Sequence, residues 1–136
     1  MSKSATTSAA LLAGVLLLAG AGCGGREDPE AAVESLIAAA RAGDRAAVYA
    51  RFGARTRARI DGLLASAQRT GGTRTLRPED LVTVGWLPPA WEPAGTRLLH
   101  RDGTEAEVEV FSGTGDRQAI RTVLEGKTWK VELPFR

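Results

Sequence analysis

Hydrophobic and polar positions follow two different periods along this chain, and the change falls near Thr96. Before it, Val33, Leu36, Ile37 and Ala40 recur three and four residues apart, which predicts an amphipathic helix. Asp28-Pro29-Glu30 opens that helix with a capping side chain, a proline suited to the first turn and an acid near the positive dipole end. Gly43 is a natural stop. Asp44 caps a second helix from Arg45 to about Phe52, with Val48, Tyr49 and Phe52 near one side. A third, from about Thr56 to Gln68, presents Ile60, Leu63, Leu64 and Ala67 and ends at Gly71-Gly72. Arg77 to Leu81 predicts a brief helical turn, and Val82 to Trp86 a short strand or its continuation. Trp86 to Pro93 is a stiff, proline-rich loop.

From Thr96 onward the period is two. Arg97 to Arg101 and Thr104 to Phe111 flank Asp102-Gly103, a hairpin signal. Ala106, Val108 and Val110 point to one side, and Glu105, Glu107 and Glu109 to the other. Asp116 to Leu124 and Lys127 to Leu133 predict a second hairpin about Glu125-Gly126. A two-residue turn there sets Thr122 opposite Trp129, Ile120 opposite Val131 and Arg121 opposite Lys130. That last pair is unfavourable alone, and the glutamate row on the neighbouring strand is its expected compensation. The order of elements implies an α+β domain, with N-terminal helices packed on one face of a curved antiparallel sheet.

Ahead of the domain lies the apolar run Leu11 to Cys23, preceded by a polar leader containing Lys3. From Ala9 to Ala21 it is shorter than the roughly 20 residues a spanning helix needs, and its parts fit an export signal that is removed. Gly20-Ala21-Gly22-Cys23 resembles the lipobox of bacterial lipoproteins, with Gly20 where that pattern usually places Leu. The resemblance implies acyl chains on Cys23, which becomes the new amino terminus and tethers the protein to a membrane. Ala19-Gly20-Ala21 also fits an ordinary small-x-small cleavage site, which would release a soluble protein. The expected organisation is a signal peptide over 1–22, a lipidated tether over 23–27 and one domain over 28–136. Gly24 is not the inner-membrane retention aspartate of many enterobacterial lipoproteins, so outer-membrane sorting is expected in a diderm source. Cys23 is the only cysteine, so no disulfide supports the fold.

Charge changes the picture of the helices. The net charge is only +2, yet nine arginines between Arg41 and Arg77 face two acids, Asp44 and Asp61, while Pro78 to Arg136 has seven basic and ten acidic residues. Export argues against nucleic acid as the partner. Arg51, Arg55 and Arg59 are spaced to line one side of a continuous helix, although Gly53 weakens it. Such a face is either simply solvated or in contact with anionic headgroups beside the anchor.

Candidate chemistry is sparse. His100 is the only histidine, beside a turn, where solvent is expected. No metal-ligand spacing, phosphate loop or nucleophile elbow is present, and no cofactor is implied. Tyr49 or Asp61 could enter a pocket, but Asp61 among arginines reads more simply as a surface ion pair. The glutamate row reads as a solvated or ion-paired sheet face. Trp86 and Trp91 form either a lid over the core or a ligand or partner surface.

Pro29-Glu30-Ala31-Ala32-Val33, Leu36-Ile37, Ala42-Gly43-Asp44 and Leu124-Glu125-Gly126-Lys127-Thr128-Trp129-Lys130-Val131 together resemble the nuclear-transport-factor-two-like, or SnoaL-like, superfamily, in its branch of small bacterial lipoproteins. The resemblance implies a cystatin-like cone with a pocket between sheet and helices. It implies no particular reaction, because that superfamily hosts enzymes and many non-enzymes. The expectation is a lipid-anchored envelope module that binds a protein partner or small ligand through Trp86, Trp91 and Tyr49. The alternatives are a small pocket enzyme acting on an apolar substrate, and a structural subunit of an envelope complex.

Overall fold

Each helix begins where the sequence supplies a cap, with one exception that shapes the domain. A computed structural model describes residues 28–71, 75–82 and 92–134. The Asp28 carboxylate accepts from the Ala31 amide at 2.7 Å and opens α1 (Pro29–Arg41). Gly43, at φ +68°, turns the chain out of it. Asp44 accepts from the Ala47 amide at 2.9 Å and opens α2 (Arg45–Arg51). The chain then runs extended through Phe52 and Gly53 before α3 (Ala54–Arg69), so Arg51 does not share a helix with Arg55 and Arg59. Arg51 turns inward instead, donating to Ser35 Oγ and to the Ala47 carbonyl. A 3₁₀ turn over Pro78–Leu81 follows, as predicted. Val82 is buried after it and belongs to no strand, and residues 83–86 of the expected strand lie outside the described residues.

The second half is a meander of β1 (Pro93–Asp102), β2 (Glu105–Ser112), β3 (Arg117–Glu125) and β4 (Thr128–Glu132), paired antiparallel in that order. With the three helices, this makes an α+β domain. Ala106, Val108, Val110, Ile120, Thr122, Trp129 and Val131 share one face and are each at most 4% exposed. That is the apolar side the alternation predicts. Val33, Leu36 and Ile37 of α1 fill the layer against it, together with Val48, Phe52 and Ile60. Burying each such side chain contributes about 1.5–3 kcal/mol. The third helix buries less than its pattern suggests, with Ile60 and Thr56 inside and Leu63 49% exposed.

Both tight turns lie one residue later than the sequence predicts. The loops are Gly103-Thr104 and Gly126-Lys127, closed by the pairs Asp102–Glu105 and Glu125–Thr128. Gly103 and Gly126 take φ of +55° and +64°, and no other residue type among the described residues has a positive φ. Centring the turns on Asp102-Gly103 and Glu125-Gly126 would have forced an acidic residue into the left-handed region, whereas a glycine in first position leaves that conformation to the one residue with no Cβ penalty. The later turn pairs Thr122 with Val131 and Leu124 with Trp129. Arg121 therefore pairs with Glu132, and the expected Arg121–Lys130 repulsion does not arise. Moving one strand by two residues changes partners but preserves faces, so the apolar side survives the correction.

Each sheet edge is closed differently. Along β1, Glu30 of α1 accepts from the Leu98 amide at 2.9 Å, Glu34 accepts from Thr96 Oγ1 at 2.7 Å, and Arg41 donates to the Pro93 carbonyl at 3.2 Å. Along β4, Phe52 forms a parallel bridge to Val131, and the Gly53 amide donates to the Val131 carbonyl at 2.8 Å. These contacts occupy edge groups that would otherwise invite strand addition.

Candidate functional site

Cys23, Trp86 and Trp91 lie outside the described residues. Tyr49 is half-buried against the main core, and its hydroxyl donates to Asp61 Oδ1 at 2.7 Å. Asp61 is thus bound to a phenol and not, among the described residues, to an arginine, which corrects the expected surface ion pair. Desolvation first, and then the Asp61 hydrogen bond and charge, push the Tyr49 pKa above its ordinary value. A raised folded pKa on an acid means that the folded state holds the proton longer than the unfolded one. Stability is therefore lost as pH rises from about 10 through the raised value. Tyr49→Phe is expected to cost at most about 1 kcal/mol at neutral pH, since the bond is exposed, and to make this alkaline loss shallower. Urea unfolding between neutral pH and pH 11 measures both effects.

The outer face of the sheet carries the charges. His100 is exposed across from Glu107, and with Asp102, Glu105 and Arg121 it borders a shallow cleft of about 330 Å³. The glutamates of β2 are largely ion-paired: Glu105 receives Arg121, and Glu109 Oε2 receives Arg97 at 2.8 Å and Arg117 at 3.4 Å. The Glu109 side chain is only 12% exposed, held by two arginine side chains that are themselves more than half exposed. Beside it, Phe111 lies over Gly95, where an added Cβ would stand 2.7 Å from the ring. Thr96, Arg97, Glu109, Phe111 and Arg117 border a second cleft of about 330 Å³. The groups it presents are the ion-paired charges of Arg97, Glu109 and Arg117 and the aromatic ring of Phe111. Ser112 Oγ at its rim is tied to Thr114 Oγ1, donates to the Asp116 carboxylate at 3.3 Å and accepts from the Asp116 amide at 3.0 Å.

The deepest polar constellation has a structural role that the sequence reading missed. α3 begins at Gly53, which offers no capping side chain. Glu132 of β4 supplies the cap from across the fold, accepting from the Arg55 amide at 3.3 Å, the Thr56 amide at 2.8 Å and Thr56 Oγ1. Glu125 accepts from the Ala54 amide and pairs with Arg57 at 3.1 Å. Thr56 Oγ1 in turn accepts from the Leu133 amide at 3.0 Å. Two carboxylates thus satisfy the first amides of α3 and complement its positive end. Gly53 is required for this approach, because an added Cβ would meet the Glu132 carboxyl carbon at 2.7 Å and Val123 at 3.1 Å. The one available signal was a helix starting after glycine with no Ser, Thr, Asp or Asn at its cap.

On the core face, Thr122 Oγ1 donates to the Ala106 carbonyl at 3.3 Å, and Arg101 sits 5.0 Å above the Trp129 ring. Among the described residues, no three metal-ligating side chains converge, and no helix is long and apolar enough to cross a membrane. No protein-family model matches the chain, and no curated protein or solved structure is detectably similar to it.

Proposed function

We propose that this protein is a lipid-anchored module of the bacterial cell envelope, processed at Cys23 and acting by binding. The observation that carries this reading is the placement of the chain's only cysteine. It ends the apolar run and stands five residues before Asp28, where the first capped helix begins. That spacing leaves a short tether and a domain that starts immediately after it. In this reading Cys23 carries the acyl chains, and the destination in a diderm source is the outer membrane, facing the periplasm. In this reading the helices and the antiparallel sheet correspond to the cone that the resemblance to nuclear-transport-factor-two-like domains implies. A protein partner or small ligand is recognised, with the Trp86 and Trp91 side chains and the Glu109 cleft as the groups involved. A binding role is favoured over a pocket enzyme because the layer between α1 and the sheet is filled by Val33, Leu36, Ile37, Val108, Val110 and Ile120.

Wild-type protein is expected in the detergent phase after Triton X-114 extraction of cells, and Cys23→Ala in the aqueous phase. Two or more acyl chains give stable anchoring, so the shift should be nearly complete. Mass spectrometry of the mature amino terminus checks the same point. A terminal peptide beginning at Gly22 with unmodified Cys23 would overturn the anchor.

A further inference from the structure

We propose that the outward face of α3 is a docking surface for anionic phospholipid headgroups. Arg55, Arg59 and Arg69 are exposed, and at 100° per residue they fall within an arc of about 80° on α3. Between them the same face carries the small residues Ala58, Gly62 and Ser66, with exposed Leu63 at its border. Small intervening side chains leave the guanidinium groups free to reach a flat surface together.

The electrostatics of this face differ from those of the arginines that are paired elsewhere in the fold. Arg51 is satisfied by Ser35 and Ala47, and Arg57 by Glu125, whereas Arg97, Arg117 and Arg121 answer the glutamates of β2. Among the described residues, Arg55, Arg59 and Arg69 have no side-chain hydrogen bond or ion pair, and the only acid on α3, Asp61, is bound to Tyr49. The face is therefore an uncompensated cationic patch. Guanidinium forks match phosphate oxygens in geometry as well as charge, which selects phospholipid headgroups over a diffuse negative field.

Position adds a second argument, which rests on the anchor reading. A tether from residue 23 to 28 reaches at most about 18 Å. α3 begins at the β3–β4 hairpin, where Glu125 holds the Ala54 amide, and Leu124 and Trp129 of that hairpin pack on Ala32 near the start of α1. The tether and the cationic helix thus start from the same end of the domain. Acyl anchoring would hold that end near the headgroups, where each arginine close to the surface contributes measurably to attraction.

All buried core residues among those described lie between Pro29 and Leu133, so residues 23–136 retain the fold. This mature chain, carrying Cys23→Ser and no lipid, is to be mixed with vesicles of phosphatidylglycerol and phosphatidylcholine, or of phosphatidylcholine alone. Binding is expected only to the anionic vesicles, and it should weaken between 50 and about 300 mM salt as screening shortens. The combined change R55Q, R59Q and R69Q should lower the partition coefficient on the order of 100-fold, with an unchanged melting temperature. Equal binding to neutral vesicles, or undiminished binding by the triple variant, overturns the proposal. Binding to poly-glutamate without binding to anionic vesicles also overturns it, in favour of an acidic protein partner. Because the vesicle assay uses unlipidated chain, its failure is distinct from failure of the anchor, which the amino-terminal mass reports.

Discussion

Glu132→Ala is expected to lower the unfolding free energy by about 3 kcal/mol, more than a surface carboxylate could account for. The residue is 6% exposed, and its carboxylate takes the Arg55 and Thr56 amides and the Thr56 hydroxyl. Its removal leaves the first turn of α3 without a cap and leaves the fully buried Thr56 hydroxyl short of one partner. For a domain of this size the loss corresponds to a fall in melting temperature of roughly 10–20 °C. Glu132→Gln should recover part of it, because an amide oxygen still accepts while the charge that complements the helix end is gone. Gly53→Ala provides the matching test. In the wild-type background the new Cβ meets the Glu132 carboxylate, an overpacking expected to cost about 1–3 kcal/mol. In the Glu132→Ala background much of that obstruction is absent, so the two changes should couple by about 1 kcal/mol or more. Denaturant unfolding of the four proteins measures the cycle. Additive costs would show that the carboxylate does not occupy this place.

Phe52→Ala is expected to cost about 3–5 kcal/mol and to rank among the most destabilising single truncations. Phe52 is 2% exposed and is the largest fully buried side chain among the described residues. It stands in the two-residue extended link between α2 and α3, its backbone bridges to Val131, and its ring belongs to the main core. Truncation therefore leaves a cavity at the point where the helices meet the edge of the sheet. Phe52→Leu, which keeps most of the volume, should cost roughly half as much or less. Urea unfolding with an unchanged m-value is the expected signature, since the same surface is exposed on unfolding. A cost below about 1 kcal/mol would place the ring outside the core.

These two residues also mark the border between what was legible in the chain and what was not. The helices over Pro29–Arg41 and Arg45–Arg51 announce themselves by Asp28, Asp44 and Gly43, because caps and stops act within four residues. The alternation in Glu105–Ser112 and Thr128–Glu132 fixes which side chains are buried, since a period of two assigns faces without reference to partners. Register was less accessible. Asp-Gly and Glu-Gly invited turns centred one residue too early, and backbone sterics at Asp102 and Glu125 favoured the glycine-first alternative. The charged residues were the least legible. Glu105, Glu107 and Glu109 form one row in the sequence, yet Glu109 is buried between Arg97 and Arg117 while Glu107 is exposed. Asp61, surrounded by arginines along the chain, is taken by Tyr49.

The sequence by itself determined the class of this protein, α+β with helices before two antiparallel hairpins, and the sidedness of its sheet. It also carries the whole basis for the anchor proposed at Cys23, because signals read by processing machinery are local in the chain. Only the tertiary structure decided that Glu125 and Glu132 cap a helix some seventy residues earlier, that Gly53 must lack a side chain, and that, among the described residues, Arg55, Arg59 and Arg69 are left without acids while Arg57 on the same helix is paired. Caps, faces and turns depend on neighbours along the backbone. The pairing of charges depends on distances across the fold, and a residue's type does not specify those.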